Sequence, residues 1–354
     1  MNNNFQYKSS YESLKEDLRN KIVLLDGAMG TMLQMENLTS EDFGGEKYEG
    51  CNDYLVMTRP NIIKNIHKKY LKSGSDIIET NTFGALDIVL KDYDLEDKTF
   101  ELNKNAAIIA NDAIKEYRKE NPNDKRNLYI AGALGPSNKS ISVTGGVTFD
   151  ELINSYYVAT SGLLEGNVDL ILFETIQDTR NLKAAYLGLQ KAMNEYYYVP
   201  LMLSFTIEST GTTLAGQTAD AFFYAVNHMN PLSIGLNCAT GPEFMTQFLK
   251  NLDSISNTYI SVYPNAGLPN EDGQYEETPN TLANKIEPFF KNKYLNIVGG
   301  CCGTTPEHIL KIKEKSVNYS PRVVNNDNRE NALSGLITLY KPEKRPIYVG
   351  ERTN

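Results

Sequence analysis

The sequence of 354 residues has few cysteines, no basic stripe and no long apolar run, and each shortage excludes a class of protein. Four cysteines without regular spacing do not suit a secreted domain held together by disulfides. The formal net charge of -9 argues against nucleic acid or an anionic membrane as a partner. No apolar run approaches the about 20 residues that cross a bilayer, and the polar N-terminus does not resemble a signal peptide. These features predict a soluble protein of a reducing compartment, the cytoplasm.

Eight short apolar segments recur along the chain and are separated by longer amphipathic ones. Because their apolar residues do not alternate with polar ones, they are typical of parallel strands that are buried on both faces. These segments are 22–26, 76–81, 128–134, 169–175, 200–206, 231–238, 259–267 and 295–302. The intervening segments carry helix-start patterns, such as Pro60 at a first turn and Thr148 with Glu151 at capping-box spacing. The alternation predicts a (β/α)8 TIM barrel over residues 1–314, with an open doubly wound sheet as the alternative.

The character of the sequence changes after the eighth unit. Residues 315–334 are polar and rich in asparagine, which is typical of a linker. The remaining residues resemble a strand or hairpin, and residues 347–349 resemble the beginning of a further strand. We interpret 315–354 as a short C-terminal linker tail that leads into a domain missing from this sequence.

Polar residues cluster at the predicted C-terminal ends of the strands, where barrels of this type place their active sites. Three of the four cysteines are among them, because Cys238 ends the sixth strand and Cys301 and Cys302 end the eighth. Three thiolates can bind one zinc ion tetrahedrally and leave a fourth position for an exchangeable ligand. Two vicinal cysteines alone are more often small buried residues, and a strained vicinal disulfide is a further alternative. The third cysteine favours the metal site. The other polar residues at strand ends are Asp26, Glu79, Glu174, Asn237 and Asn265.

The remaining cysteine and the histidines have simpler interpretations. Cys51 is expected to be a free structural thiol. His67 and His228 fall in amphipathic helical segments and are expected on the surface. His308 follows the vicinal cysteines on the next helix, where a supporting or surface role is favoured over metal ligation.

Six segments resemble the homocysteine S-methyltransferase family and span residues 21 to about 311. They read LDGAMGTMLQ, IIETNTFGA, LFETIQD, GLNCATGPEFM, YPNAGLP and GGCCGTTPEHI. The pairing of GLNC with GGCCGTTP is the most specific part of the resemblance. Within the family, LDGAMGTMLQ and the final VGERTN are most similar to the cobalamin-dependent methionine synthases, in which a segment like GERTN begins a folate-binding domain.

The resemblance implies a zinc site and a homocysteine site. It implies that Cys238, Cys301 and Cys302 are the zinc ligands, in agreement with their predicted positions at strand ends. It also implies that Asn265 is a weak fourth ligand when no substrate is bound. The reaction that it implies is transfer of a methyl group to the thiol of homocysteine, which gives methionine.

The resemblance further implies that Asp26 and Glu174 bind the ammonium group of homocysteine, with Gly27 beside them. Two carboxylates at strand ends suit an α-ammonium group, since hydrogen bonds between charged partners are strong. Without the family, Asp26 is equally well interpreted as a turn residue before Gly27. Glu174 is equally well interpreted as part of a salt bridge at the barrel rim.

The methyl donor that the resemblance implies is methylcobalamin, carried by another domain or chain. The sequence itself contains no Asp-x-His-x-x-Gly motif of a cobalamin-binding domain and no folate barrel. One alternative is a small cationic donor, betaine or S-methylmethionine, bound directly in the barrel mouth. The other is a zinc-loaded homocysteine-binding subunit of a split methionine synthase that is inactive alone.

Overall fold

A computed structural model describes residues 7–271, 273, 275–325 and 332–340 of the protein. Eight parallel strands form one sheet in these residues. They are β1 (Val23–Leu24), β2 (Ile77–Glu79), β3 (Tyr129–Leu134), β4 (Leu170–Ile176), β5 (Leu201–Phe205), β6 (Ser233–Asn237), β7 (Tyr259–Tyr263) and β8 (Ile297–Val298). Each strand falls within or next to one of the eight predicted segments, so the strand prediction is confirmed.

The sheet closes into a barrel. Its strand order is β1-β8-β7-β6-β5-β4-β3-β2, and every pairing is parallel. A parallel bridge between Leu25 and Ile77 then joins the two outer strands. The predicted (β/α)8 barrel is therefore confirmed, and the open doubly wound sheet is wrong.

The helices of the described residues surround this barrel. They are α1 (Ser10–Asn20), α2 (Met29–Gln34), α3 (Leu55–Thr58), α4 (Pro60–Ser73), α5 (Asp87–Leu90), α6 (Thr99–Glu120), α7 (Phe149–Glu165), α8 (Thr179–Glu195), α9 (Ala219–Val226), α10 (Pro242–Ile255), α11 (Pro279–Lys291) and α12 (Pro306–Ser316). None of the helices in the described ranges is long and apolar enough to cross a membrane.

Local sequence fixes several of these helix ends. Helix α4 begins at Pro60 and ends at Gly74, whose φ of 109° is a left-handed conformation that favours glycine. At the start of α7, the Glu151 amide donates to the Thr148 hydroxyl (3.2 Å) and the Thr148 amide donates to the Glu151 carboxylate (2.7 Å). The predicted capping box is therefore present.

The strands separate two groups of buried apolar side chains. The larger group lies between the strands and the outer helices. The smaller group fills the barrel with alternate strand residues, such as Leu25, Ile77 and Leu172. Helix α1 adds Leu14 and Leu18 to this second group, so it covers the barrel end at which the strands begin. The opposite end is left for polar side chains.

A short hairpin follows the barrel. Strands β9 (Ala332–Ser334) and β10 (Thr338–Tyr340) pair antiparallel and pack on helix α9. The Thr218 amide, at the start of α9, donates to the Leu336 carbonyl oxygen (2.9 Å). The predicted hairpin thus begins a few residues earlier than expected. The strand predicted at residues 347–349 lies outside the described residues.

The prediction that His67 lies on the surface is wrong. His67 is fully buried, and neither ring nitrogen has a hydrogen-bond partner among the described residues. The residue lies four positions after Ile63 and three before Tyr70, on the buried face of α4. Helices α6 and α12 pack against α4 and leave this face no access to water. Burial lowers the pKa of His67 to about 4.

Replacement of His67 by leucine should make the stability less sensitive to acid. The folded pKa of about 4 lies below the ordinary value of 6.5, so the unfolded chain binds more protons between these two pH values. Stability should fall as the pH falls through this window, by up to about 3 kcal/mol from this group. Urea unfolding of wild type, His67→Leu and the exposed-site control His228→Gln at pH 4 to 7 measures the effect. Equal slopes for all three proteins would contradict it.

Candidate active site

Three thiols meet at the C-terminal end of the barrel. The Sγ atoms of Cys238, Cys301 and Cys302 all lie within 4.8 Å of one another, and Cys238 Sγ and Cys302 Sγ are 3.8 Å apart. Tetrahedral zinc with Zn–S bonds of about 2.3 Å requires sulfurs about 3.8 Å apart. Hydrogen bonds donated by the Cys238 and Cys301 thiols lower the pKa of Cys302 to about 3. The pKa of Cys238, in contrast, is raised to about 11 and that of Cys301 well above its usual range. The three residues therefore fit a zinc ion in spacing and in ligand type.

The backbone at Cys238 is strained. Cys238 and Ala239 have φ values of 55° and 56°, in the left-handed region that residues with a side chain rarely adopt. Each such residue costs about 1 to 3 kcal/mol and persists only where its surroundings hold it. The Cys238 amide donates to the Tyr263 carbonyl oxygen (3.3 Å), and the Thr240 amide donates to the Cys238 carbonyl oxygen (2.6 Å). This turn brings the Cys238 sulfur to the cysteines that follow β8.

Thr304 holds the turn of the vicinal cysteines. Its hydroxyl donates to the Cys301 carbonyl oxygen (2.7 Å) and lies so close to Gly300 that a Cβ there would come within 2.5 Å of it. The Cys302 carbonyl oxygen accepts from the Ala266 amide (2.9 Å). Glycine at 300 is therefore required by the close approach of the threonine, and the turn is anchored on both sides.

Gly27 contributes to the packing beneath this turn. A Cβ at Gly27 would lie 2.8 Å from the Thr304 hydroxyl and 3.0 Å from the Tyr70 ring. The next amide, that of Ala28, donates to the Thr304 hydroxyl (3.1 Å). Glycine at 27 thus lets the first loop reach the cysteine turn. A contact of Gly27 with substrate stays a prediction.

Three carboxyl groups converge beside the thiols. They belong to Asp26, Glu79 and Glu174. The charge of Glu174 raises the pKa of both Asp26 and Glu79, and the charge of Asp26 raises the pKa of Glu79. One carboxylate oxygen of Asp26 accepts from the Glu79 amide (3.0 Å), whereas the other is buried without a partner among the described residues. No salt bridge within the described ranges involves any of the three. The cluster therefore lacks a cation.

Burial makes negative charge unfavourable in this cluster. It raises the pKa of Asp26 and of Glu79 well above the usual range, and the neighbouring carboxylates add to the shift. Burial, together with the charge of Cys302, raises the pKa of Glu174 to about 7. A ligand with a positive charge would stabilise all three ionised groups. The cluster therefore suits a cationic ligand, and binding of the homocysteine ammonium group by Asp26 and Glu174 stays a prediction.

The sequence places Glu79 at a strand end but does not by itself indicate a role for it. Glu79 lies two residues after Ile77, a side chain that fills the barrel interior. Since side chains two residues apart lie on the same face of a strand, this spacing places Glu79 inside the barrel mouth. The spacing is visible in the sequence and could have identified the third carboxyl group.

Asn237 positions the strand end that carries Glu174. Its side-chain oxygen accepts from the Thr175 amide (3.0 Å) and the Ser204 hydroxyl (2.6 Å), and its amide group donates to the Thr175 hydroxyl (2.8 Å). Thr175 has a φ of 55°, so it needs such support. Asn237 is therefore a hydrogen-bond partner of the neighbouring strand end.

Asn265 and His308 lie beside the cysteine turns. The Asn265 side-chain oxygen is buried and has no partner among the described residues, and its role as a weak metal ligand stays a prediction. His308 accepts from the Thr305 amide through Nδ1 (3.2 Å) and contacts the Glu277 carbonyl oxygen through Nε2 (2.9 Å). His308 thus supports the loop next to the site, in line with the role expected for it.

Cys51 lies apart from this site. It is buried and free, and burial raises the pKa of its thiol to about 12. Within the described ranges, the group formed by Cys238, Cys301 and Cys302 is the one set of acidic, thiol and imidazole side chains with metal-ligand spacing. The expectation of a structural thiol at Cys51 is confirmed.

Three crystal structures of the homocysteine methyltransferase MmuM from Escherichia coli resemble this barrel. The oxidised form has a TM-score of 0.70 at 22% identity and covers 87% of this chain and 99% of its own. The metallated form has a TM-score of 0.71 at 23% identity, with coverage of 86% and 99%. The apo form has a TM-score of 0.64 at 22% identity, with coverage of 84% and 97%. At such identities the likeness shows the shared fold alone.

The fold, and the side chains at the barrel end where the strands end, define an enzyme of the (β/α)8-barrel class. The model of the homocysteine S-methyltransferase family matches residues 23–316, which is most of the chain. The chain belongs to this family. It is therefore a methyltransferase whose acceptor is homocysteine.

Replacement of any one of the three clustered cysteines by serine should abolish stable zinc binding. The wild type should retain about one zinc ion per chain, because three thiolates form one site. Elemental analysis of wild type, Cys238→Ser, Cys301→Ser and Cys302→Ser after dialysis measures the retention. Cys51→Ser is the matched control and should retain as much as wild type. Full retention by Cys238→Ser or Cys301→Ser would contradict a three-thiolate site.

Proposed function

We propose that the protein transfers a methyl group to the thiol of homocysteine at a zinc ion held by Cys238, Cys301 and Cys302. The 3.8 Å between Cys238 Sγ and Cys302 Sγ is the observation that carries this proposal, since it equals the spacing that tetrahedral zinc requires. The existence of a metallated form of MmuM also supports a metal. The buried oxygen of Asn265 supports its proposed role as a weak fourth ligand in the absence of substrate.

The thiols and the carboxyl groups have separate roles in this proposal. A free thiol with a pKa of about 8.5 is mostly protonated and a poor nucleophile at neutral pH. Zinc, when bound, would deprotonate such a thiol and keep its sulfur nucleophilic. The three cysteines supply the negative charge that holds the ion. Their turns, fixed by Thr304 and by the left-handed backbone at Cys238, keep the sulfurs in place before substrate arrives.

The carboxyl groups of Asp26, Glu79 and Glu174 bind the ammonium group of homocysteine. Burial raises the pKa values of these groups, so a cationic ligand beside them would favour their ionised forms, and Asp26 has an oxygen without a partner among the described residues. Ammonium binding at this cluster fixes one end of the substrate. The thiol at the other end of the substrate is then held close to the cysteines. A thiol held in this position has fewer orientations available, which favours in-line attack on the donor methyl.

The proposed donor is methylcobalamin, presented by a cobalamin-carrying module. The resemblance of LDGAMGTMLQ to the cobalamin-dependent synthases supports it. The loops that follow the strands also present large apolar side chains to solvent, among them Met35, Phe83 and Leu268. Such a rim suits a large, partly apolar partner more than a small cation that is enclosed by the barrel. We also propose that residues 1–314 form the homocysteine-binding module and that 315–354 lead towards a folate-binding-like one.

Neutral replacements in the carboxyl cluster should weaken homocysteine more than a thiol that lacks the amino group. Asp26→Asn, Glu79→Gln and Glu174→Gln should each reduce the affinity for homocysteine by about 1.5 to 3 kcal/mol, because a charge-assisted contact is lost from a buried site. Calorimetry with homocysteine and with 4-mercaptobutyrate separates the two effects. Glu271→Gln, at an exposed position in the loop after β7, is the control. Equal weakening of both thiols would assign the carboxyl groups to the fold or to the metal site instead.

Free methylcobalamin should methylate homocysteine slowly, and betaine and S-methylmethionine should not react. The free cofactor lacks the high effective concentration that a carrier module supplies, so a cobalamin-carrying partner should raise the rate well above it. Methionine formation by the purified chain with each donor in turn is the measurement. Reaction with betaine or S-methylmethionine alone would assign a small donor. No turnover with any donor, while zinc and homocysteine still bind, would favour the zinc-loaded binding subunit.

A further inference from the structure

The loop that carries Asp26 is bonded directly to the turn that carries the vicinal cysteines. The loop follows β1 and the turn follows β8, and these two strands pair in the sheet. Beyond the strands, the Gly300 amide donates to the Asp26 carbonyl oxygen (3.0 Å), and the Gly303 amide donates to the Thr31 hydroxyl (3.0 Å). One carboxyl group of the cluster and two of the three thiols therefore lie on adjoining backbone segments.

Tyr70 of helix α4 lies at the junction of these two segments. Its side chain is fully buried, and its hydroxyl is hydrogen-bonded to one carbonyl oxygen on each segment. The acceptors are the carbonyl oxygens of Ala28 (3.1 Å) and Thr304 (3.3 Å), which share the single hydroxyl hydrogen. The ring also fills the space beside Gly27, where a Cβ would lie 3.0 Å from it. Tyr70 thus ties both segments to the same helix.

We propose that Tyr70 is a positioning residue, which fixes Asp26 relative to the vicinal cysteines and so favours a substrate that binds both sides of the site at once. The inference rests on the proposed function, in which the Asp26 carboxylate binds the ammonium group of homocysteine and the cysteines hold the zinc ion that binds its thiol. It adds a residue outside the barrel strands that sets the spacing between these two contacts.

The physical basis is the advantage of two contacts over one. When one end of a substrate is bound, the other end meets its partner at a high effective concentration, provided that the two partners are held at the right separation. A looser junction reduces this advantage but leaves each single contact as it was. A hydrogen bond shared by the two segments resists their relative displacement. Its loss should therefore weaken a ligand that uses both sides and spare a ligand that uses one.

The test compares homocysteine with 4-mercaptobutyrate, the same thiol acid without the amino group, on the zinc-loaded protein. Tyr70→Phe keeps the buried ring and removes only the hydroxyl. We expect calorimetry to show that Tyr70→Phe binds homocysteine about 3- to 10-fold more weakly than wild type, because one buried hydrogen bond is lost. The affinity for 4-mercaptobutyrate should not change.

Tyr197→Phe is the matched control. The Tyr197 hydroxyl also donates to two carbonyl oxygens, those of Leu164 (2.9 Å) and Val168 (3.0 Å). These residues precede β4, so the bonds lie near the barrel end at which the strands begin. The control variant loses an equivalent pair of bonds away from the site, and its affinities for both thiols should equal those of wild type.

A double-mutant cycle checks whether Tyr70 acts through Asp26. In an Asp26→Asn protein the contact with the ammonium group is already weakened, so a further Tyr70→Phe change should reduce homocysteine affinity by less than it does in wild type. Strict additivity of the two changes would show that the hydroxyl acts independently of Asp26, and the inference would be wrong.

The outcomes separate this inference from the proposed function. A wild type that binds both thiols equally would overturn the ammonium-binding role of the carboxyl cluster, and the inference with it. A wild type that prefers homocysteine, together with an equal preference in Tyr70→Phe, would overturn the role of Tyr70 alone. Equal weakening of both thiols in Tyr70→Phe would assign the hydroxyl to the fold or to the metal site, which also contradicts the inference.

Discussion

The three sulfurs can share a metal only if they lie about 3.8 Å apart, and much of the barrel mouth is arranged to meet this requirement. The ligand strands β6 and β8 are not neighbours, because β7 lies between them in the sheet. Cys238 therefore has to reach across the end of β7. The left-handed backbone at Cys238 and Ala239 provides this reach, at an energetic cost that the surrounding hydrogen bonds offset. The loop after β7 holds the backbone of Cys302, because its Ala266 amide donates to the Cys302 carbonyl oxygen.

The carboxyl cluster shows a second strain, which is electrostatic. The folded-state pKa of Glu174, about 7, is above its ordinary value of 4.5, so ionisation opposes folding as the pH rises through this interval. Asp26 and Glu79 add to the effect in the same direction. A protein selected for stability alone would place a cation here or remove a carboxylate. In the proposed function the cluster binds a positive ligand, which is the trade between stability and function that binding sites commonly show.

The sequence predicts the barrel because its eight apolar segments are long enough and regularly separated by helical ones. The sequence also predicts the site, because the C-terminal ends of the strands converge in this fold. The proximity of Cys238 and Cys301 therefore follows from their positions at strand ends, without any measured distance. The burial of a helix residue by neighbouring helices is harder to predict from the sequence. His67 looks like a surface residue on one helix, and only the packing of α6 and α12 buries it. The packing of the Tyr275 ring on Gly303 depends on how one loop folds back, which no periodic pattern encodes.

In the proposed function, the site binds the two ends of homocysteine through groups of opposite chemistry. Carboxyl groups from the ends of β1, β2 and β4 form one side, and thiols from the ends of β6 and β8 form the other. Strand β1 pairs directly with β8, so the two sides meet at this point of the closed sheet. An amino acid has to carry its thiol at a matching distance from its ammonium group to use both. A shorter thiol such as cysteine would satisfy one side and strain the other, and one methylene is worth about 1 to 3 kcal/mol in such a site.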